Sequence, residues 1–243
     1  MKPFLLLATR AEDVAADAEL AALCRFGGLR PDQVHRVRLE SRPMPAVDLD
    51  DYSGILVGGG PFNSSDPDDE KSATQRRVEQ EMSHLLDEVV DRDFPFLGAC
   101  YGVGTLGVHG GGVIDRAFGE GVGLATIQLT REGAQDPLLA GLPPAFTAFV
   151  GHKEAVRVLP PGAVRLAFSP RSPVQMFRLR QNLYATQFHP ELDLEGLTQR
   201  VRVYREYGYF APEDADAVIG RASTRPVTHP MRILRNFVER YRR

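Results

Sequence analysis

The chain carries two cysteines in 243 residues, Cys24 and Cys100, too far apart in sequence to suggest a disulfide scaffold and more in keeping with a reduced compartment. Strong charge is missing as well. A net charge of -3 supplies no field for nucleic acid or an anionic membrane, so neither is expected as a partner. No apolar run approaches the length of a membrane span. The N-terminus, Met1-Lys-Pro-Phe-Leu-Leu-Leu, has one basic residue and a short apolar run, which reads as a first strand and not as a signal peptide. Repeats and low-complexity tracts are absent, and Asn63 to Ser72 is a polar loop too short for a linker. What remains is a cytoplasmic protein that, at 43% hydrophobic residues, can bury a sizeable core. The expectation is a single domain over residues 1–243, with about 1–192 as its body and 193–243 as a helical C-terminal extension.

Strands and helices alternate through the first half. Phe4 to Ala8, His35 to Leu39 and Gly54 to Val57 read as strands, and Asp13 to Phe26 as a helix. In Thr74 to Val90, Val78, Met82, Leu85, Leu86 and Val89 recur at helical spacing with acidic residues between them. This alternation predicts an α/β fold with a doubly wound, mostly parallel sheet and sites at the carboxyl ends of its strands. From Val122 the pattern turns strand-rich: Leu124 to Leu129, Ala145 to Val150, Ala155 to Val158, Val164 to Phe168, Val174 to Leu179 and Asn182 to Phe188. A partly antiparallel extension carrying His152 toward the cysteine is expected there.

Three short segments carry chemistry. Phe94-Pro-Phe-Leu-Gly-Ala-Cys-Tyr-Gly102 places Cys100 where a buried strand turns sharply into a helix, with small residues on both flanks, in the manner of a nucleophile elbow. A helix N-terminus beside the sulfur predicts a thiol that titrates below its free value. Tyr184-Ala-Thr-Gln-Phe-His-Pro-Glu191 ends a second strand in a histidine, with a carboxylate two residues on. A cysteine nucleophile needs such a base, and the base a third group to orient it, so His189 and Glu191 are the candidates. The same H-x-E pattern occurs in zinc deaminases, which also need P-C-x-x-C; Cys24 is the only other cysteine, so no metal is expected. In Ile55 to Asn63 a strand runs into three glycines, whose amides can approach a ligand closely. Amides of Gly60 and Tyr101 are candidates for an oxyanion hole.

Together, Gly-Gly-Pro, Gly-Ala-Cys-Tyr-Gly and Gln-Phe-His-Pro-Glu, each after a strand and in that order, resemble the class I, triad-type glutamine amidotransferases. Gly151-His-Lys-Glu-Ala-Val-Arg-Val-Leu-Pro160 is similar to the Ser-His-x-Asp-x-Val-x-x-Leu-Pro region of GMP synthase amidotransferase domains, and Gly59 to Asp66 looks closest to stand-alone, GMP-synthase-like members. The resemblance covers about residues 1–192. It implies a Cys100–His189–Glu191 triad that hydrolyses a γ-glutamyl amide through a γ-glutamyl thioester, without cofactor, and passes ammonia to a separate synthetase. It also implies that Gly59, Gly104, His152 and Gln187 lie along the substrate. Two positions depart from the pattern. Gly104 stands where many members carry the glutamine of Cys-x-Gly-x-Gln, which predicts open room beside the nucleophile and brings in a second reading, a γ-glutamyl peptidase or hydrolase acting on a peptide or conjugate. Gly151 replaces the serine before His152. A third reading is a catalytically silent regulatory module.

Leu194 to Tyr207 and Asp214 to Ala222 read as helices, and His229 to Arg243 as a docking helix with Ile233, Leu234, Phe237, Val238 and Tyr241 on one face. Tyr204, Tyr207, Tyr209 and Phe210 could cover the mouth of the site, form a contact between protomers or pack against the body of the fold. Cys24, beside Leu20 and Leu23, reads as a small core residue.

Overall fold

In the computed structural model, which describes residues 1–243, strand β1 (Phe4–Ala8) is apolar throughout and buried on both faces, as a central parallel strand must be. Its side chains alternate between two cores: Leu5 and Leu7 face one, Phe4 and Leu6 the other. Helix α1 (Asp13–Gly27) follows and stops at Gly28, whose φ of 70° is the left-handed conformation that suits glycine. Strand β2 (Val34–Arg38) and strand β3 (Gly54–Val57) then flank β1 in parallel. Helix α2 (Ala73–Asp91) starts at Ser72, whose hydroxyl accepts the Gln75 amide at 3.0 Å, and lays Val78, Met82, Leu86 and Val89 on the first core.

Strand β4 (Phe96–Ala99) leads into helix α3 (Tyr101–His109). The second half supplies strand β5 (Val113–Asp115), strand β6 (Glu120–Leu129), the short helix α4 (Arg131–Gln135), strand β7 (Ala145–His152), strand β8 (Ala155–Val158), strand β9 (Val164–Phe168), strand β10 (Met176–Leu179) and strand β11 (Leu183–Thr186). Nine strands form one sheet in the order β2-β1-β3-β4-β11-β10-β9-β6-β7, while β5 and β8 pair apart from it. The strands from β2 to β11 pair in parallel and those from β11 to β7 antiparallel, so the doubly wound half and the antiparallel extension share one sheet.

Helix α5 (Leu194–Val203) and helix α6 (Ala215–Ala222) close a third, smaller core over Phe149 of β7. Helix α7 (Met231–Tyr241) lies along α1 and buries Ile233, Leu234, Phe237 and Val238 in the second core.

Some elements depart from the sequence reading. The elbow strand starts at Phe96 instead of Phe94, because Asp93 takes a φ of 48° and Pro95 lacks an amide for the ladder. Helix α5 ends at Val203, four residues before Tyr207, and residues 204–210 form an irregular strap. Strand β6 begins at Glu120, ahead of Leu124, and β5 and α4 are too short to leave a periodic signal.

Candidate active site

Cys100 has a φ of 54° and a ψ of -91°, an uncommon backbone conformation for a residue with a side chain. Close packing holds the turn there: a Cβ on Gly98 would lie 2.8 Å from the Gly102 Cα. The Cys100 amide donates to the Thr186 carbonyl at 2.8 Å, just past the end of the β4–β11 pairing, where Ala99 is opposite Thr186. Parallel register therefore delivers Cys100 and the residues after β11 to the same edge of the sheet. His189 is anchored next to it by its own amide, which donates to the Phe149 carbonyl at 3.0 Å.

Gly59 marks how tightly the side chains converge. A Cβ there would sit 2.9 Å from His189 Cε1, 3.4 Å from Cys100 Cβ and 2.8 Å from Arg10 Nη2. No hydrogen bond joins the thiol to the imidazole; such contacts tighten when substrate is engaged. The Gly60 amide donates to no protein acceptor. Tyr101 opens α3, so its amide has no partner inside the helix. Gly60 lines both cavities at Cys100, and Tyr101 is the next residue in the chain.

Behind His189 lies a buried chain of charges. His189 Nδ1 donates to Glu191 Oε1 at 2.8 Å, and Arg200 Nη1 donates to the same oxygen at 2.9 Å. Arg200 Nη2 reaches Glu19 Oε1 at 3.4 Å, which also takes Arg10 Nε at 2.9 Å, and Arg10 Nη1 donates to Tyr204 Oη at 3.1 Å. Two guanidinium groups thus balance two carboxylates, the condition under which burying such charges is tolerable.

Burial sets the titration of the site. It pushes the Cys100 thiol up to about 12, with Arg10 and Arg200 offsetting only part of that, so the low thiol value suggested by the helix N-terminus is not met. Burial also lowers His189 below the ordinary imidazole value, and Glu191 counters this only in part. For Glu191 burial would raise the carboxyl, but His189 and Arg200 outweigh it and hold the group well below the usual range. A neutral thiol therefore faces a neutral imidazole backed by a carboxylate.

The remaining residues suggested by the sequence divide. Gln187 is buried at the edge of the cleft, with an Oε1 that no donor satisfies. His152 lies in the same cleft, yet its Nδ1 is 2.8 Å from the Glu154 carbonyl and its Nε2 is 3.1 Å from Glu120, so both ring nitrogens are engaged within the protein. Gly104 faces no open room. A Cβ there would meet Ser64 Oγ at 2.5 Å and Glu154 Oε1 at 2.6 Å, because the Glu154 carboxylate occupies the space and accepts the amides of Ser64 and Ser65 at 2.9 and 2.7 Å.

Arg10, Glu19 and Arg200 escape the sequence reading, although a signal exists for two of them. Glu19 falls between Ala15 and Leu23 on the buried stripe of α1, and Arg200 between Leu197 and Val201 on that of α5. A charge on an apolar stripe points to a partner inside. Of the aromatic residues in the strap, Tyr204, Tyr209 and Phe210 line the cavity beside Cys100. The Lys153 ammonium fastens the strap there, lying 4.7 Å from the Tyr209 ring and donating to the Tyr207 carbonyl at 3.2 Å.

A mixed α/β sheet with a cysteine on a strained strand-to-helix turn, and a histidine–carboxylate pair at the end of the adjacent strand, defines a nucleophile-elbow protein. Its family follows from comparison: the glutamine amidotransferase class-I pattern matches residues 23–201, and the chain belongs to that family. Among its relatives, a glutamine-hydrolysing GMP synthase of Lactococcus lactis is 34% identical over 141 residues, 57% of this chain and 24% of that one. A glutamine-hydrolysing GMP synthase subunit of Methanoculleus marisnigri is 28% identical over 165 residues, 68% of this chain and 79% of that one. This chain thus spans about a quarter of the length of the Lactococcus GMP synthase. A glutamine amidotransferase from Thermotoga maritima has the same fold, with a TM-score of 0.78 at 18% identity over 99% of this chain and 98% of that one.

Proposed function

We propose that this protein hydrolyses the amide bond of a γ-glutamyl compound through a cysteine thioester. The observation that carries the reading is Cys100, held at a positive φ beside an imidazole that Glu191 orients. As Sγ bonds to the amide carbon, the thiol proton passes to His189 Nε2, which is free to accept it because Nδ1 keeps its hydrogen toward Glu191. The carbonyl oxygen gains negative charge, and the amides of Gly60 and Tyr101 take it up. Two such donors are worth roughly 3 to 4 kcal/mol each. Collapse breaks the carbon–nitrogen bond, and the departing amine leaves with the proton from Nε2. Water then attacks the thioester and gives a proton to His189, which returns it to the sulfur as glutamate is released.

The names of the relatives point to glutamine as substrate, in which case the amine is ammonia and a separate synthetase consumes it. A γ-glutamyl peptide or conjugate is the second reading, favoured by the apolar cavity on the His189 side of the nucleophile. Measuring glutamate release from glutamine and from γ-glutamyl dipeptides, alongside intact mass spectrometry of a quenched reaction, tests the chemistry. Release by the parent protein and a single glutamyl adduct that Cys100→Ala cannot form are expected. Absence of release from every γ-glutamyl amide would overturn the proposal.

A further inference from the structure

Two cavities meet at Cys100, and they differ in character. The first, of about 10 Å3, is largely polar and is lined by Tyr101, Gln187, Lys153, Glu154 and Tyr209. The second, of about 60 Å3, contains His189 with Arg10, Arg200 and Tyr204, whose polar groups are already paired in the buried charge chain, and the rest of its wall is mostly apolar, with Val122, Val150, Leu197, Val201 and Phe210. Because His189 donates the proton that the departing amine carries away, the amine half of the substrate lies on the His189 side. The polar cleft is left for the charged head of the γ-glutamyl half, with the unsatisfied Gln187 Oε1 as an acceptor for its ammonium.

Ammonia is no larger than water, and roughly 10 to 15 Å3 of such space holds a water. The second cavity is several times larger than ammonia needs, and most of its wall is aliphatic or aromatic and offers ammonia nothing to bind. Resting on the γ-glutamyl reading above, we infer that the amine released is an apolar one: the substrate is a γ-glutamyl amide whose amine half carries an aliphatic or aromatic side chain that fills this cavity.

The experiment compares kcat/KM for glutamine, γ-glutamyl-glycine and γ-glutamyl-leucine on the parent protein, Val122→Thr and Phe210→Ser. Val122→Thr places a hydroxyl in the cavity wall with little change of shape, while Phe210→Ser opens the wall from the strap, outside the sheet. The parent is expected to prefer γ-glutamyl-leucine over γ-glutamyl-glycine by at least about tenfold, equivalent to about 1.4 kcal/mol. In both variants the ratio of leucine to glycine substrate should fall severalfold. Glutamine hydrolysed as well as the leucine dipeptide would overturn the inference and leave the γ-glutamyl chemistry standing, as would dipeptide cleavage with no preference for leucine. If no compound, glutamine included, yields glutamate, the underlying catalytic reading fails instead.

Discussion

Arg200 Nη1 sits 2.9 Å from Oε1 of Glu191, the same oxygen that holds His189 Nδ1. The carboxylate that orients the histidine is therefore shared with a permanent cation, and Arg200 makes the imidazole harder to protonate. If neutral His189 is the base, activity is full above its pKa and is lost as pH falls through it. Burial holds that pKa below the ordinary imidazole value, so the parent enzyme should keep its activity at pH values where an exposed histidine is already charged. Replacing Arg200 with methionine removes one of the influences that lower it. The acid limb of kcat/KM against pH should then move to higher pH. A limb that stays in place while activity drops would show that Arg200 only supports the fold.

Removing members of the triad should have unequal effects. Cys100→Ala and His189→Ala are expected to abolish glutamate release, because each takes away a bond-making or proton-carrying atom. Glu191→Gln should retain a measurable residue, with kcat reduced by about 10^2 to 10^4, the range spanned by lost proton transfer and a wrong histidine tautomer. Near-normal turnover in His189→Ala would remove His189 from the role of base.

Alkylation reports the state of the thiol. With Cys100 pushed up to about 12 by burial, iodoacetamide should modify it slowly at neutral pH, and the rate should climb steadily toward alkaline pH. Peptide mapping separates this from labelling of Cys24, which burial also shifts upward. A rate that levels off near neutral pH would instead reveal a preformed thiolate–imidazolium pair.

Gly104 tests whether the space beside α3 is closed. Because an added Cβ meets Ser64 and Glu154, Gly104→Ala should lower the thermal midpoint by an amount corresponding to about 1 to 3 kcal/mol, the usual cost of overpacking. Gly104→Gln should be worse still and should fail to raise hydrolysis of glutamine. A smaller loss for Gly104→Ala in a Ser64→Gly background than in the parent would tie part of the cost to the closer of these two collisions. An unchanged midpoint in the single variant would mean that Ser64 and Glu154 both give way freely and that the space is not closed.

Much of this is legible along the chain. Strand β1 and helix α2 follow from simple periodicity, and the elbow follows from small residues bracketing a cysteine after an apolar run. The filled space beside Gly104 is not, because Glu154 lies fifty residues downstream and reaches α3 only through the turn after β7. The Arg10–Glu19–Arg200 chain is hidden for a related reason. Glu19 and Arg200 stand out only as charges on apolar stripes, Arg10 not at all, and only their convergence from α1, α5 and the segment after β1 makes them buried partners. The strap reads as a continuing helix, since tyrosines at 204 and 207 keep helical spacing after the backbone has left it.

The strap has an evolutionary consequence. Cys100, His189 and Glu191 all fall within the span shared with the family, residues 23–201, whereas Arg10 and Glu19 precede that span and Tyr204, Tyr209 and Phe210 follow it. Residues from before and after that span meet beside the sulfur. Val122, Val150, Leu197 and Val201 share the triad's stretch, while the strap adds the remaining wall from outside it, so a descendant could exchange the strap, reshape one side of the cavity, and leave the bond-breaking apparatus untouched.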